Sequence, residues 1–343
     1  MKSIIIREPG RVEISKVHDL PERKKGEVLL KVLYGGICGS DLGTFRGSFA
    51  YTVYPCIPGH EFAAEIVDID DDNGYGLKRG QIVTCNPYFN CGKCKSCRNG
   101  IVNACMDNKT MGVQREGAFS EYVSMPLERI YDGKGLSARQ LTLIEPFCIA
   151  HHGVKRGEVK SGDEVLIVGA GTIGVFAALS ARAKGANVTL CDVSQEKLDY
   201  ARNTFFFDSV ILNNNSENFT DGVAEKTKGE GFDVAIEAVG LNSTFKNCID
   251  AVCFGGRVVL IGIPKKPLDD FALNLIQKKE LCVRGSRNAL KEDFIELIDL
   301  VKSGAVDIEK VVTNEYSWLE ADKAFSDFSA NAGKMLKVLL RFE

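Results

Sequence analysis

Histidine is scarce in this chain: four in 343 residues, at positions 18, 60, 151 and 152. Any imidazole chemistry is therefore confined to a handful of places. A surplus of one charge is missing too. The net charge of −3 excludes a basic nucleic-acid surface or a patch for anionic membranes. Long apolar runs are absent. The longest uncharged stretch, Val165–Ala181, falls short of a membrane span and is broken by Gly169, Gly171 and Gly174. The start, MKSIIIREPG, offers only Ile4-Ile5-Ile6 before Arg7, too little for a signal-peptide core, so the expectation is a cytoplasmic protein. No internal repeat and no low-complexity segment is found.

What is present is cysteine. Twelve of them without a secretory leader point to a reducing compartment, with thiols used for metal or packing. Cys91, Cys94, Cys97 and Cys105 follow the spacing C-x2-C-x2-C-x7-C. Four thiolates so close in sequence suit a closed tetrahedral zinc site, which leaves no position for substrate and is therefore structural. Lys93, Lys95 and Arg98 between them would offset its negative charge. Two other readings compete: an iron–sulfur cluster, which lacks the proline after the fourth cysteine, and four unrelated thiols, against which the regular spacing stands. Most of the remainder (Cys56, Cys85, Cys148, Cys191, Cys248, Cys253 and Cys282) are expected to be small buried hydrophobes.

The length allows two domains, each with its own core. The first part opens with short strand-like runs, Ser3–Arg7, Arg11–Lys16 and Glu27–Leu33, punctuated by Pro9-Gly10 and Gly26. Tyr34–Asp41 (YGGICGSD) reads as a glycine-rich turn that could aim the Cys38 thiolate. His60 and Glu61 are adjacent; on a bent backbone both could reach one ion. Glu145 lies in an apolar run, where a buried carboxylate needs a partner, and a metal is one.

Residues 163–192 carry the second signal. A buried strand, Val165–Val168, runs into Gly169-Ala170-Gly171-Thr172-Ile173-Gly174, then an apolar helix to about Lys184, then a strand Asn187–Cys191 ending at Asp192. In that context G-x-G-x-x-G is a dinucleotide fingerprint: Gly169 for the turn, Gly171 for close approach of pyrophosphate, Gly174 for helix–strand packing. Asp192 would accept the adenosine ribose hydroxyls, and Val193-Ser194 offers no arginine for a 2′-phosphate, which favours NAD over NADP. Strands Phe232–Glu237 and Arg257–Gly262, with helices Ser194–Arg202 and Asn242–Ala251 between, continue a doubly wound α/β pattern. Val239 and Ile261 then fall at the nicotinamide side. A short strand Glu280–Val283, an amphipathic helix Asp293–Lys302 and a strand-like Lys334–Arg341 close the chain.

Taken together, Cys38-Gly39-Ser40-Asp41, Gly59-His60-Glu61, the four-cysteine lobe, Gly117–Tyr122 (GAFSEY) and Ile144-Glu145-Pro146 stand in the order found in zinc-dependent medium-chain dehydrogenases. The match covers essentially the whole chain. Glu145 resembles the sorbitol/threonine dehydrogenase branch. The IEPF, GAFSEY and Gly285–Asn288 stretches look most like the L-galactonate and L-gulonate 5-dehydrogenases.

The resemblance implies a GroES-like β-rich catalytic domain (1–152 and 289–343, with the zinc lobe at about 85–110) and a Rossmann NAD-binding domain (153–288). It implies two zinc ions, one structural and one catalytic. The catalytic ion would be held by Cys38 and His60, with Glu61 and Glu145 as exchangeable oxygen ligands, and Asp41 would orient His60. Ser40 would take the alcohol proton. Thr172, Ile173, Lys197 and Ser286 would join the cofactor contacts, and the protein would be a homodimer or homotetramer. The implied reaction is NAD-linked oxidation of a secondary alcohol on a sugar acid or polyol. Polyol, threonine or butanediol dehydrogenases, and a non-enzymatic NADH-binding regulator, are the alternatives. Arg287 could receive a substrate carboxylate through two parallel hydrogen bonds, and Arg46 and Arg115 are other basic candidates; an ordinary surface or interdomain role is the alternative for each. Two positions depart from the family: Ala64 replaces a usual glycine, and Gly43 replaces the relay histidine.

Overall fold

The computed structural model describes residues 1–16 and 19–342, so His18 lies outside the described residues. It divides into two units: Met1–Glu145 with Leu290–Glu343, and Pro146–Ala289. The first boundary falls inside the helix Ile144–Arg156, directly after Glu145 rather than after His152.

The first unit is built on a seven-stranded sheet whose centre is the long strand Glu27–Ile37. Strand Glu61–Asp68 pairs with it antiparallel, setting Gly36 opposite Glu61 and Gly35 opposite Phe62. Strand Lys337–Arg341 lies on its other side, also antiparallel, with Val338 opposite Ile37. The core beneath is aliphatic and aromatic, with Ile4, Leu30, Phe62, Phe119 and Phe325 fully buried.

Tyr34–Asp41 is not the turn its glycines suggest. The strand continues to Ile37, Cys38 is the cap residue, and a helix runs Gly39–Phe45. The glycines are needed for clearance. A Cβ on Gly36 would lie 2.3 Å from Glu61 Oε2, and one on Gly35 2.5 Å from the Phe119 ring. Ala64, one of the two departures noted in the sequence, is buried in the strand opposite Val32. The closing strand begins at Lys337 rather than Lys334, because Lys334 and Met335 still bond back to the Asn331 carbonyl.

The second unit is a six-stranded, wholly parallel sheet. Its order is Val210–Leu212, Asn187–Asp192, Glu164–Val168, Phe232–Glu237, Val252–Leu260, Cys282–Gly285. The chain reverses direction of growth between Glu164–Val168 and Phe232–Glu237, which is the switch point where such sheets bind ligands. Two strands differ from the sequence reading. Arg257–Gly262 becomes Val252–Leu260, extended backwards across an irregularity in register, and Glu280–Val283 becomes Cys282–Gly285, since Glu280 takes a left-handed φ of +53°. Among the described residues no helix is long and apolar enough to cross a membrane.

Candidate active site

In the first unit, three strands and one turn converge on Glu61. The pairing of Gly36 with Glu61 puts the carboxylate beside the Cys38 cap, and Gly59, with φ +101°, bends the chain just before His60. One donor atom from each of Cys38, His60 and Glu61 lies within 4.8 Å of the others. The bent backbone thus lets the two adjacent ligands reach one point. His60 and Glu61 are buried, and His60 Nδ1 has no hydrogen-bond partner.

Asp41 does not hydrogen-bond to His60, contrary to the orienting role that the resemblance implied. Its Oδ1 stands 3.9 Å from Nδ1, too far for a hydrogen bond. It accepts instead from Cys38 N at 2.9 Å and Gly59 N at 3.4 Å, so it ties together the two turns that carry the ligands. Ser40, in the first turn of the helix, is half-buried. A Cβ on Gly43 would meet Phe49 Cβ at 3.2 Å, so the space a relay side chain would need is crowded by Phe49.

Two partners of the acids were not legible in the sequence. Lys337 is buried and donates to both Glu61 oxygens, at 2.9 and 2.7 Å, and to Ile37 O at 3.3 Å. Glu145 lies outside the 4.8 Å group; its Oε1 accepts a hydrogen bond from the buried Tyr88 hydroxyl. The signal for Lys337 was a lone lysine ahead of an apolar strand; Tyr88 gave none.

The electrostatics follow from burial. Desolvation pushes the Glu145 carboxyl up to about 7, with Glu61 adding to the rise, against the lowering effects of His60, Tyr88 and Lys337. Burial likewise raises Asp41. Burial alone would lower His60, but Cys38, Asp41 and Glu145 hold it well above its ordinary value. A dry cluster of thiol, imidazole and carboxylates this rich in negative potential, with an unpartnered ring nitrogen, matches the mixed S, N, O donor set that zinc takes.

The four-cysteine lobe fits a second zinc on geometry alone. Tetrahedral Zn–S bonds of about 2.3 Å require S···S separations of roughly 3.8 Å. Cys94 Sγ lies 3.5 Å from Cys97 Sγ and 4.0 Å from Cys105 Sγ, and all four sulfurs fall within 4.8 Å of one another. Backbone N–H groups of Lys93 and Cys94 lower Cys91, and those of Cys97 and Met106 bring Cys94 down to about 6, while burial raises Cys105 to about 11. Of the other thiols, Cys85, Cys148, Cys191 and Cys248 are buried as expected; Cys56, Cys253 and Cys282 are partly exposed.

In the second unit every residue expected to meet the cofactor sits at the carboxyl edge of the parallel sheet: Gly169 after Val168, Asp192 at its strand end, Val239 after Glu237, Ile261 after Leu260, Ser286 after Gly285. Gly169 has φ +108°. A Cβ on Gly174 would lie 1.7 Å from Gly169 O, so only glycine packs there. A Cβ on Gly171 would meet nothing within 4 Å, which leaves the open cradle a pyrophosphate needs at the amino end of the helix Thr172–Ala183. Asp192 accepts from Ala170 N at 2.7 Å and Ser194 N at 2.9 Å, bracing that turn. Lys197 is half-buried and its N–H is capped by Ser194; Ser286 Oγ is buried without a partner. Glu237, missed by the sequence reading, is a fully buried acid. It accepts from Val239 N, Gly240 N and Thr244 Oγ1 at 2.6–2.9 Å and so shapes the loop bearing Val239. An acid ending an otherwise apolar strand was the signal.

Family models match twice. Residues 24–134 fit an alcohol dehydrogenase GroES-like domain and residues 172–303 a zinc-binding dehydrogenase domain. An L-galactonate-5-dehydrogenase of Escherichia coli K12 is 32% identical, with 100% of this chain and 99% of that one covered. The chain belongs to the zinc-type alcohol dehydrogenases. This dehydrogenase is also similar to a sorbitol dehydrogenase of Halalkalibacterium halodurans, at 30% identity over 99% of both chains. Its fold superposes on an alcohol dehydrogenase from E. coli CFT073 crystallised with NADH, at a TM-score of 0.89 and 30% identity, covering 100% of this chain and 99% of that one.

Proposed function

We propose that this dehydrogenase reversibly oxidises, with NAD, a secondary hydroxyl of an acyclic sugar acid or polyol, with L-galactonate or L-gulonate at C5 the leading substrates. The observation that carries the reading is the trio Cys38, His60 and Glu61, gathered within 4.8 Å, with His60 and Glu61 buried and Cys38 partly exposed. Bound there, zinc supplies Lewis acidity toward a hydroxyl, and NAD accepts the hydride. The chain's own groups do the rest. Cys38 and His60 hold the metal, and Glu61 and Glu145 offer oxygens that can give way to substrate. Ser40, two residues after Cys38, takes the hydroxyl proton. Onward transfer does not run through residue 43. Gly171 and the helix start receive the pyrophosphate, Thr172, Ile173 and Lys197 flank it, and Val239, Ile261 and Ser286 line the nicotinamide side. Asp192 takes the ribose hydroxyls; Asp192→Ala should cut the NAD-over-NADP preference about tenfold or more, measured as a ratio of kcat/KM values. The assembly proposed is a homodimer or homotetramer.

The test is a screen of NAD reduction by the zinc-replete protein over L-galactonate, L-gulonate, D-gluconate, sorbitol, xylitol, threonine and 2,3-butanediol. Turnover of a hexonate or polyol above threonine and butanediol is expected. Turnover of threonine or butanediol alone would move the reading to the simpler alcohols. Tightly held zinc and no turnover on any of them would turn it to an NADH-binding regulator.

A further inference from the structure

Phe89 follows Tyr88 in the short strand Tyr88–Phe89, and two guanidiniums lie against its ring. Arg115 Cζ is 3.6 Å from the ring centroid and Arg129 Cζ 4.4 Å. Arg129 is fixed: it donates to the Tyr88 carbonyl and, at 3.1 Å, to Asn90 Oδ1, while its buried Nε finds no acceptor. The Arg115 side chain makes no hydrogen bond or ion pair among the described residues; the ring is its support. Two like charges held on one ring repel each other, and a cation–π contact offsets this without neutralising either. An anion bound there would offset both charges.

Two separate paths tie Arg115 to the metal ligands. Its loop rests on the backbone just before His60: a Cβ on Gly112 would lie 2.7 Å from Gly59 N, one on Gly117 2.1 Å from Pro58 O, and Ala118 N donates to Gly59 O at 2.9 Å. Its ring support is bonded in sequence to Tyr88, whose hydroxyl reaches Glu145. Arg115 also borders a cavity of about 260 Å³ whose wall includes Ile57 along with Arg7 and Glu116. Arg46, by contrast, is committed to Ser329, through Oγ at 2.9 Å and the carbonyl at 2.6 Å.

We propose that Arg115, held on Phe89 with the charge of Arg129 beside it, recognises the carboxylate of an acyclic sugar acid. The inference rests on the sugar-acid reading of the site. A guanidinium receives a carboxylate through two parallel hydrogen bonds, and stacking removes in advance much of the freedom an arginine loses on binding. A neutral polyol leaves that fork empty. Arg115 therefore selects acids over polyols of the same chain length.

The test compares a hexonate, the matching hexitol and the hexitol 1-phosphate. Each is assayed with the wild type, Arg115→Gln, Arg115→Lys and Phe89→Leu. Arg115→Gln should raise KM for the hexonate about 10- to 100-fold, as expected for a charged hydrogen bond, and leave kcat and hexitol kinetics nearly unchanged. Arg115→Lys should recover part of the loss, and Phe89→Leu should reproduce a smaller, equally selective one, which keeps the question answerable if the glutamine variant folds poorly. Titrating hexonate into the enzyme–NADH complex by fluorescence should give the same ratios. Equal losses on acid and hexitol, or none, would overturn the inference while leaving sugar-acid oxidation intact. A larger loss on the phosphate than on the hexonate would overturn the carboxylate assignment. Wild-type turnover of hexitols without any hexonate would overturn the substrate reading and the inference together.

Discussion

The two metal-binding regions of this dehydrogenase are put together in opposite ways. The four-cysteine lobe takes all its donors from one stretch, Cys91–Cys105, and backbone N–H groups favour the thiolate at Cys91 and Cys94. The Cys38 site collects its donors from a cap, a bend and a strand end, and its two carboxylates each have a protein partner, Lys337 for Glu61 and Tyr88 for Glu145, while Asp41 braces the Cys38 backbone. A local site needs spacing alone. An assembled one needs the whole sheet in register, and it needs counter-charges that keep its acids buried when no cation is there. The first arrangement suits a rigid closed site; in the proposed reading the second leaves oxygens that can exchange with substrate.

Four experiments would break or sharpen that contrast, in descending order of effect on the site. Cys38→Ser should lower kcat on the order of 10³-fold or more, while NADH binding, followed by fluorescence, stays near wild type, since the nucleotide edge belongs to a separate sheet. Retained turnover would remove Cys38 from the metal. Next, Lys337→Met strands a buried carboxylate and should cost roughly 3–5 kcal/mol in denaturant unfolding of the metal-free protein. Lys337→Arg should recover much of this, and a neutral effect of Lys337→Met would mean Glu61 needs no counter-charge.

The third test uses pH. With Glu145 raised in the folded state to about 7, the folded form binds more protons than the unfolded one between about pH 4.5 and 7. Stability of the metal-free protein should therefore fall as pH rises through that window, by roughly 3 kcal/mol at most. Glu145→Gln should flatten that part of the profile, and an unchanged slope in the variant would deny the shift. Last, Cys97→Ser should reduce bound zinc from two ions to one and lower the melting temperature, with kcat moving by less than about threefold in the surviving folded protein. A collapse of kcat at constant stability would erase the distinction between the two regions.

Legibility followed the same divide. The cysteine spacing and the strand–glycine–helix–acid pattern are local, and both were readable from residue order. The wholly parallel sheet followed from alternating strands and helices. Gly35 and Gly36 misled, because a glycine that turns the chain and a glycine that makes room for a distant side chain look alike until the neighbour is known; here the neighbours are Phe119 and Glu61. Lys337, Tyr88 and the Arg115–Phe89–Arg129 stack stayed hidden for the same reason. Their partners are remote in sequence, and a single lysine or tyrosine carries no periodicity to announce a contact.

The Glu61–Lys337 pair spans 276 positions of the chain. During synthesis at the ribosome the acid emerges early and its counter-charge much later. Until then the strand Glu61–Asp68 lacks what allows its first residue to be dry, so the nascent sheet has reason to stay open at that end. Metal loading is then expected to follow emergence of Lys337 rather than that of the first strands.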